Sequence, residues 1–281
     1  MPQEAGEALQ AARARLAATS KHPRRDAELL LEHVLDCDQT ELLTHPERLL
    51  SVEELKQFDG LVARRLASEP MQYLTGEQEF FGLRFEVSPA VLIPRPETEH
   101  LVEAVLQRFA REEAVRIVDV GTGSGAIAVA LAYALPSSLV TAVDLFPAAL
   151  EVARRNAERH GVRLILMPSD LLAAVDRTDF DAVVANPPYI ATAEVLEPQV
   201  ANYEPRSALY AGPTGLEVYE RLIPQAARVL KPGGWLMLEI GYGQSPAIQN
   251  LMRAWARVTL VNDLQGTPRV ALGQKQSATL K

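Results

Sequence analysis

The stretch VDVGTGSGAIAVALA (118–132) decides the fold. Val118 to Val120 continue an apolar run, RIVDV (116–120), of strand length. Gly121, Gly123 and Gly125 then let the backbone turn sharply and come close to a ligand. The residues after Gly125 are apolar and good helix formers. A strand, a glycine turn and a helix form the opening unit of a parallel α/β sheet.

Short apolar runs repeat on either side of helical segments after that stretch. They are LVTAVD (139–144), RLILM (163–167), DAVVA (181–185) and WLMLEI (235–240), with helices near 125–134, 147–159 and 215–230. Strands that alternate with helices imply a mostly parallel sheet covered on both faces. VTLVND (258–263) and PRVALGQ (268–274) are separated only by a turn and read as an antiparallel hairpin at the sheet edge. The fold class is therefore α/β, a seven-stranded doubly wound Rossmann-like sheet.

Upstream the pattern is helical. Leu9, Ala12 and Leu16, then Ala27, Leu30, Leu31, Val34 and Leu35, recur at spacings of three and four. Pro23 opens one helix and Ser51 caps another. In EFFGLRFEVSP (79–89), two short strands flank a glycine turn. The stiff segment VLIPRPETE (91–99) follows, then helical periodicity over Thr98 to Phe109. Three parts are expected: 1–75, a helical substrate-docking domain; 76–95, a β-hairpin linker; and 96–281, the catalytic domain. The stretch from about 188 to 214 reads as a long loop with little structure, a length that often signals a lid or docking role.

The chain has 281 residues, one cysteine and a net charge of −8. Cys37 alone excludes an intrachain disulfide and suits a reducing cytoplasm. MPQEAGEALQ lacks the basic start and apolar run of a leader, and no run is long enough to span a membrane. Residues 1–75 carry 9 Lys and Arg against 13 Asp and Glu, so no stable nucleic-acid binding is expected. The five histidines show no metal-ligand spacing, and no metal is expected. Trp235 and Trp255 read as core residues. A monomer is expected.

Asp144 ends the strand after the glycine turn, roughly 20 residues on, where an acid accepts hydrogen bonds from ribose hydroxyls. These features fit any adenosine-bearing cofactor. With Ala126 they also satisfy the dinucleotide pattern, so they leave NAD and S-adenosyl-L-methionine both open. The tetrapeptide Asn186-Pro187-Pro188-Tyr189 narrows the choice. It follows an apolar strand, and ligands of open parallel sheets bind beyond the strands' carboxyl ends. The lone pair of an amide or exocyclic amino nitrogen is delocalised and attacks carbon poorly. The Asn186 side-chain oxygen and the Pro187 carbonyl can accept both its hydrogens and aim the lone pair at a methyl group. Pro188 stiffens the loop without offering an N–H, and Tyr189 can stack on a planar group. A proline turn leaving a strand is the plain alternative. Arg95, Glu97 and Glu99 read either as a rim touching substrate or as acids at a helix start.

The chain resembles the HemK-type (PrmC/HemK) release-factor glutamine methyltransferases, a branch of the seven-stranded S-adenosylmethionine-dependent methyltransferases. The resemblance covers nearly the whole chain. It rests on PMQYLTGEQEFFGLRFEV (70–87), LIPRPETE (92–99), DVGTGSGAIAVALA (119–132), NPPYI (186–190), NYEPRSAL (202–209), GLEVYERLI (215–223), EIGYGQ (239–244) and DLQGTPRV (263–270). It implies methyl transfer from S-adenosyl-L-methionine to the glutamine of a Gly-Gly-Gln tripeptide in peptide chain release factors. By position, Gly121, Thr122, Gly123, Ser124 and Gly125 would wrap the methionine part of the cofactor, and Asp144 would hold the ribose. Leu171 would lie beside the adenine, where the family can carry an aromatic. Asn186 to Tyr189 would hold the glutamine, with Asn186 also beside the cofactor and Arg95 at the substrate rim. A ribosomal-protein glutamine is the alternative substrate. A DNA or RNA amino group is a further one, disfavoured by the acidic charge, and an adenosine-binding module without catalysis is disfavoured by the intact tetrapeptide.

Overall fold

The computed structural model of the chain describes residues 3–277. The chain divides into two compact units. One runs up to Glu77 and also includes Leu196–Tyr203; the other comprises Gln78–Val195 and the chain from Glu204 onward.

The first unit is built on helices Ala5–Leu16, Pro23–Leu35, Gln39–Thr44, Val52–Leu66 and Met71–Thr75. Leu16, Leu30, Leu31, Phe58 and Val62 fill its core. Pro23 stands at the start of its helix, where a missing N–H costs nothing. Ser51 caps Val52–Leu66 with Glu54 reaching back to the Ser51 N–H, so two orphan donors are satisfied reciprocally. A two-residue antiparallel pairing, Gln3–Glu4 with Leu49–Leu50, has no counterpart in the sequence reading, because two residues carry no periodicity.

The second unit holds a seven-stranded sheet. Along the chain its strands are β1 (Arg116–Val120), β2 (Leu139–Asp144), β3 (Leu164–Pro168), β4 (Phe180–Ala185), β5 (Leu230–Glu239), β6 (Ala256–Asn262) and β7 (Pro268–Gln274). In space the order is β6-β7-β5-β4-β1-β2-β3. Only β7 runs antiparallel to its neighbours. The chain winds outward from β1 through β2 to β3, then crosses to β4 on the other side of β1. Such a reversal opens a crevice at the carboxyl ends of β1 and β4.

Side chains alternate between two cores. Ile117, Ala182 and Met237 face the layer formed by helices Glu99–Leu106 and Ala126–Ala134. Val118, Val183 and Leu238 face helix Glu217–Val229. β5 begins at Leu230, five residues before the expected WLMLEI run, with a register shift between Leu230 and Trp235. Trp235 is half-buried beneath the Arg108 guanidinium, and Trp255 packs against the second core.

The stretch 188–214 is more ordered than its sequence suggests. Ile190–Ala191 pairs in parallel with Tyr210–Gly212, and short helices span Pro198–Tyr203 and Arg206–Leu209. These elements are too short to leave a periodic signature.

The hairpin of Glu77–Phe80 and Leu83–Glu86 is tied to the glycine turn by Asn156, a fully buried residue of helix Pro147–Arg159. Asn156 Oδ1 accepts from the Glu86 N–H at 2.7 Å. Its Nδ2 donates to the Glu86 carbonyl at 2.9 Å and to the Ser124 carbonyl at 2.8 Å. Removing the amide leaves three backbone groups without that partner, the Ser124 carbonyl fully buried and the two of Glu86 half-buried. Asn156→Ala should therefore lower unfolding stability by about 2–4 kcal/mol in urea titration, more than a solvent-facing Asn→Ala change.

Candidate active site

At the carboxyl end of β1 the chain enters the glycine turn. Gly121 and Gly123 have φ of 71° and 55°, a region that L side chains rarely adopt, and open space lies where a Cβ would stand. Gly125 serves a different purpose: a Cβ there would lie 3.0 Å from the Ala153 Cβ, so two helices approach closely across it. Thr122 and Ser124 are buried. The Thr122 hydroxyl donates to Asp119 Oδ2 at 2.6 Å, and the Ser124 carbonyl receives Asn156. Within the turn, then, Gly121 and Gly123 face open space while the Thr122 side chain and the Ser124 carbonyl fasten the loop.

Asp144, at the end of β2, is mostly buried. Its Oδ2 accepts from the Gly123 N–H and its Oδ1 from the Phe146 N–H, each at 2.9 Å. Both oxygens are fixed in place, and each keeps a lone pair that a diol could use. Leu171 has φ of 52°, a left-handed conformation uncommon for a leucine. Its neighbour Asp170 pairs with Arg221 at 2.5 Å.

These residues share one cavity of about 210 Å³. Gly121, Gly123, Asp144, Leu171, Asn186 and Pro188 all line it. Ala90 to Leu92 and Pro205 also contribute, which the sequence reading did not foresee. Pro187 and Tyr189 do not line it, nor does Arg95. Arg95 instead pairs with Glu204 at 2.5 Å, and Glu204 also accepts from the Ile93 N–H at 3.2 Å. Glu99 accepts from the Phe81 N–H at 2.8 Å and so anchors the hairpin. Among the described residues no group of His, Cys, Asp and Glu could hold a metal ion, and no helix is long and apolar enough to cross a membrane.

Asn186 is half-buried just past β4, and its Nδ2 donates to the Thr98 hydroxyl at 3.0 Å. The Tyr189 carbonyl accepts from Gln244 Nε2 at 2.9 Å, while Gln244 Oε1 accepts from the Gly241 N–H at 3.0 Å. Gln244 therefore clips the Asn-Pro-Pro-Tyr loop to the turn after β5. Gly241 and Gly215 are obligatory neighbours of that loop. A Cβ on Gly241 would meet the Tyr189 ring at 2.9 Å, and one on Gly215 would meet the Tyr189 carbonyl at 2.5 Å.

Two carboxyl groups sit beneath this crevice with one oxygen each lacking a hydrogen-bond partner, Asp119 Oδ1 and Glu239 Oε2. Burial pushes the Asp119 carboxyl up to about 7, with the Thr122 hydroxyl pulling it back. Burial likewise pushes Glu239 up to about 7, while a hydrogen bond from Thr98 opposes it, nearby Glu97 adds to it and Arg269 offsets it. The Tyr189 hydroxyl lies 3.5 Å from Glu239 Oε1. Burial, then the Glu239 charge, raise the Tyr189 phenol, so it stays neutral. The sequence reading did not single out Asp119, Asn156 or Glu239; the signal that could have found them is a polar residue inside or at the end of an otherwise apolar strand or helix face.

The mostly parallel sheet with its glycine turn and its crevice at the strand ends is a Rossmann-like fold. A methyltransferase from Pyrococcus furiosus shares this fold, with a TM-score of 0.52 and 22% identity over 70% of this chain and 91% of that one. So does the T. thermophilus 16S rRNA N2 G1207 methyltransferase, solved in complex with AdoMet and guanosine, with a TM-score of 0.54 and 21% identity over 71% of this chain and 50% of that one. Residues 7–76 match the PrmC N-terminal domain, and residues 97–202 match the methyltransferase small domain. A release factor glutamine methyltransferase of Koribacter versatilis is 47% identical, covering 93% of this chain and 95% of its own length. Those of Moorella thermoacetica and Coxiella burnetii are 48% and 41% identical, over 90% and 92% of this chain and 89% and 95% of theirs. The chain belongs to the release factor glutamine methyltransferase family.

The raised carboxyls have a consequence for stability. An acid whose folded pKa is raised binds its proton more tightly when folded, so its contribution is complete below the unfolded value and fades as pH climbs through the folded one. For Asp119 that window runs from its ordinary 3.8 to about 7. The melting temperature should fall between about pH 4 and pH 7, and Asp119→Asn should flatten that slope in calorimetry at matched ionic strength.

Proposed function

We propose that this chain transfers a methyl group from S-adenosyl-L-methionine to the side-chain amide nitrogen of the glutamine in the Gly-Gly-Gln motif of peptide chain release factors. One observation carries the reading: Asn186 lines the same cavity as Gly121, Gly123 and Asp144. An acceptor suited to an NH2 group thus stands beside a cradle suited to an adenosyl ligand.

The cradle's features fit that cofactor. Gly121 and Gly123 leave room for a ligand to touch backbone, and the two oxygens of Asp144 are oriented for ribose hydroxyls. The lining carries no lysine, and its one arginine, Arg221, is paired with Asp170. That suits a ligand without phosphates. When bound, the cofactor supplies an electrophilic methyl on a sulfonium.

The remaining work falls to this chain's own groups. Asn186 Oδ1 accepts one hydrogen of the glutamine amide and the Pro187 carbonyl accepts the other. This holds the nitrogen's lone pair out of conjugation and along the line of attack. Positioning supplies most of the rate, and no strong base is required beforehand, because positive charge develops only as the methyl arrives. Arg95, held by Glu204, stiffens the segment leading to Thr98 and could still present its outer edge to substrate. A tripeptide offers too little area for useful affinity, so we assign docking of the release factor to the helical unit.

The test is incubation with purified release factor and labelled cofactor, with the modified residue mapped by mass spectrometry. Label confined to a ribosomal protein, or to nucleic acid, would overturn the assignment. Asn186→Ala should leave cofactor affinity within about twofold and lower kcat by roughly a hundredfold or more. A free Gly-Gly-Gln peptide should show a KM far above that of the intact factor; equal values would remove the docking role from the helical unit.

A further inference from the structure

The Asn-Pro-Pro-Tyr loop is held at both ends and stiff between them. At its head the Asn186 amide is bound to Thr98. At its tail the Tyr189 carbonyl accepts from Gln244 Nε2 at 2.9 Å. Pro187 and Pro188, in the middle, have φ locked by their rings and no N–H to bond elsewhere. With two torsions fixed, the Pro187 carbonyl points where the two anchors leave it. Gln244 meets three chain segments at once. Its Nε2 also donates to the Gly215 carbonyl at 3.3 Å, and its Oε1 accepts from the Gly241 N–H at 3.0 Å. The backbone around it leaves room for that amide. A Cβ on Gly241 would lie 2.8 Å from Gln244 Oε1, and one on Gly215 would lie 3.0 Å from Gln244 Nε2.

We propose that Gln244 is a positioning residue for methyl transfer: by holding the Tyr189 carbonyl it fixes the tail of the Asn-Pro-Pro-Tyr loop, and with it the direction in which the Pro187 carbonyl meets the substrate amide. The inference rests on the glutamine-methylation reading above and deepens it. Two acceptors aim an NH2 group only while the angle between them is kept. Asn186 alone would leave the nitrogen free to swing about a single hydrogen bond, and in-line attack demands alignment. Gln244 does not line the cavity and acts only through the loop.

The side chain has no competing duty in its own helix. Gln244 stands just before helix Ser245–Leu251, whose start has no side-chain cap bond. What serves that helix is the Gln244 backbone carbonyl, which accepts from the Ile248 N–H at 3.0 Å and is unaffected by a change of side chain. The side-chain bonds go to Tyr189, Gly215 and Gly241, and not to the cradle of Gly121, Gly123 and Asp144. Its donor is the decisive half. A glutamate of nearly the same shape keeps an oxygen for the Gly241 N–H but sets its other oxygen against the Tyr189 and Gly215 carbonyls. Acceptors then face acceptors, and the tail of the loop loses its anchor. A methionine of similar length loses both functions without adding repulsion.

The experiment compares the full-length protein with Gln244→Glu and Gln244→Met. Gln244 is half-buried rather than in the core, and melting temperatures check that both variants fold. With release factor as substrate and cofactor saturating, both should lose roughly tenfold or more in kcat. Cofactor affinity, read by calorimetry, should stay within about threefold. Gln244→Glu should lose at least as much as Gln244→Met, although it keeps the oxygen for Gly241. Unaltered kcat in a folded variant, or a loss confined to cofactor affinity, would overturn the positioning role. So would failure of both variants to fold, which would make the side chain a structural support. A second readout does not depend on turnover. The Ile190 N–H shares a peptide plane with the Tyr189 carbonyl, so its 15N signal reports the Gln244 bond. That signal should move in both variants, while the signal of the Gly123 N–H, bonded to Asp144, should stay. An unmoved Ile190 signal in Gln244→Met would also overturn the inference. If the unaltered protein leaves release factor unmethylated, the functional reading falls, and the Ile190 signal still decides whether Gln244 sets the loop.

Discussion

The parallel register between β1 and β4 is the constraint on which the rest of the site depends. Val120 lies opposite Ala185, so the next residue of each strand, Gly121 and Asn186, leaves the sheet at the same height on adjacent strands. A slip of one residue would turn every side chain of β4 to the other core and carry Asn186 away from the glycine turn. The register is locked from both faces, because Val183 and Ala185 belong to one apolar layer and Ala182 and Val184 to the other. The placement of Asn186 therefore inherits its precision from hydrophobic packing one to four residues upstream.

The same packing makes polar groups beneath the crevice costly, and the structure keeps two of them. Asp119 and Glu239 each retain an oxygen without a partner in a place water does not reach. Residues tolerated at such a cost are commonly tied to function. Asp119 spends its other oxygen on Thr122 and so fastens the loop between Gly121 and Gly123. Glu239 lies against Thr98 and Tyr189 and so underlies both ends of the Asn-Pro-Pro-Tyr loop. One acid stands under the glycine turn and the other under the Asn-Pro-Pro-Tyr loop.

The strands and the longer helices were legible because each carries its own periodicity, and the seven-stranded sheet follows from their alternation. The family resemblance is matched by relatives of 41–48% identity over most of the chain. The glycine turn, Asp144 and Asn186 could be nominated because their chemistry is local: each stands at or just past the end of a strand and must face the crevice, whereas Leu171 came only from the family resemblance. What escaped is long-range. Asn156 joins residues 32 and 70 positions away, Gln244 reaches back 55, and Glu204 pairs across 109. No window of sequence contains both partners of such a bond. Arg95 illustrates the converse. Its placement in a stiff proline segment suggested a free guanidinium at a rim, and only the fold shows that Glu204 already engages it. The stretch 188–214 was read as loop for a third reason, since its helices of four and six residues fall below the length at which a 3.6-residue period can be told from chance.

Two acceptors aimed at an NH2 group recognise that group and little else. On the proposed reading, a glutamine amide and the exocyclic amine of a nucleobase would look alike to Asn186 and Pro187, so selection among them would have to come from surfaces that meet the rest of the substrate. The net charge of −8 and the excess of acids in residues 1–75 carry a general electrostatic penalty for phosphates. A protein that presents an exposed glutamine on a flexible loop meets no such penalty. On the function proposed above, the reaction would be indifferent to the identity of its amide, and specificity would have to come from binding area outside the reacting group, where affinity can be gained without altering the geometry at the methyl.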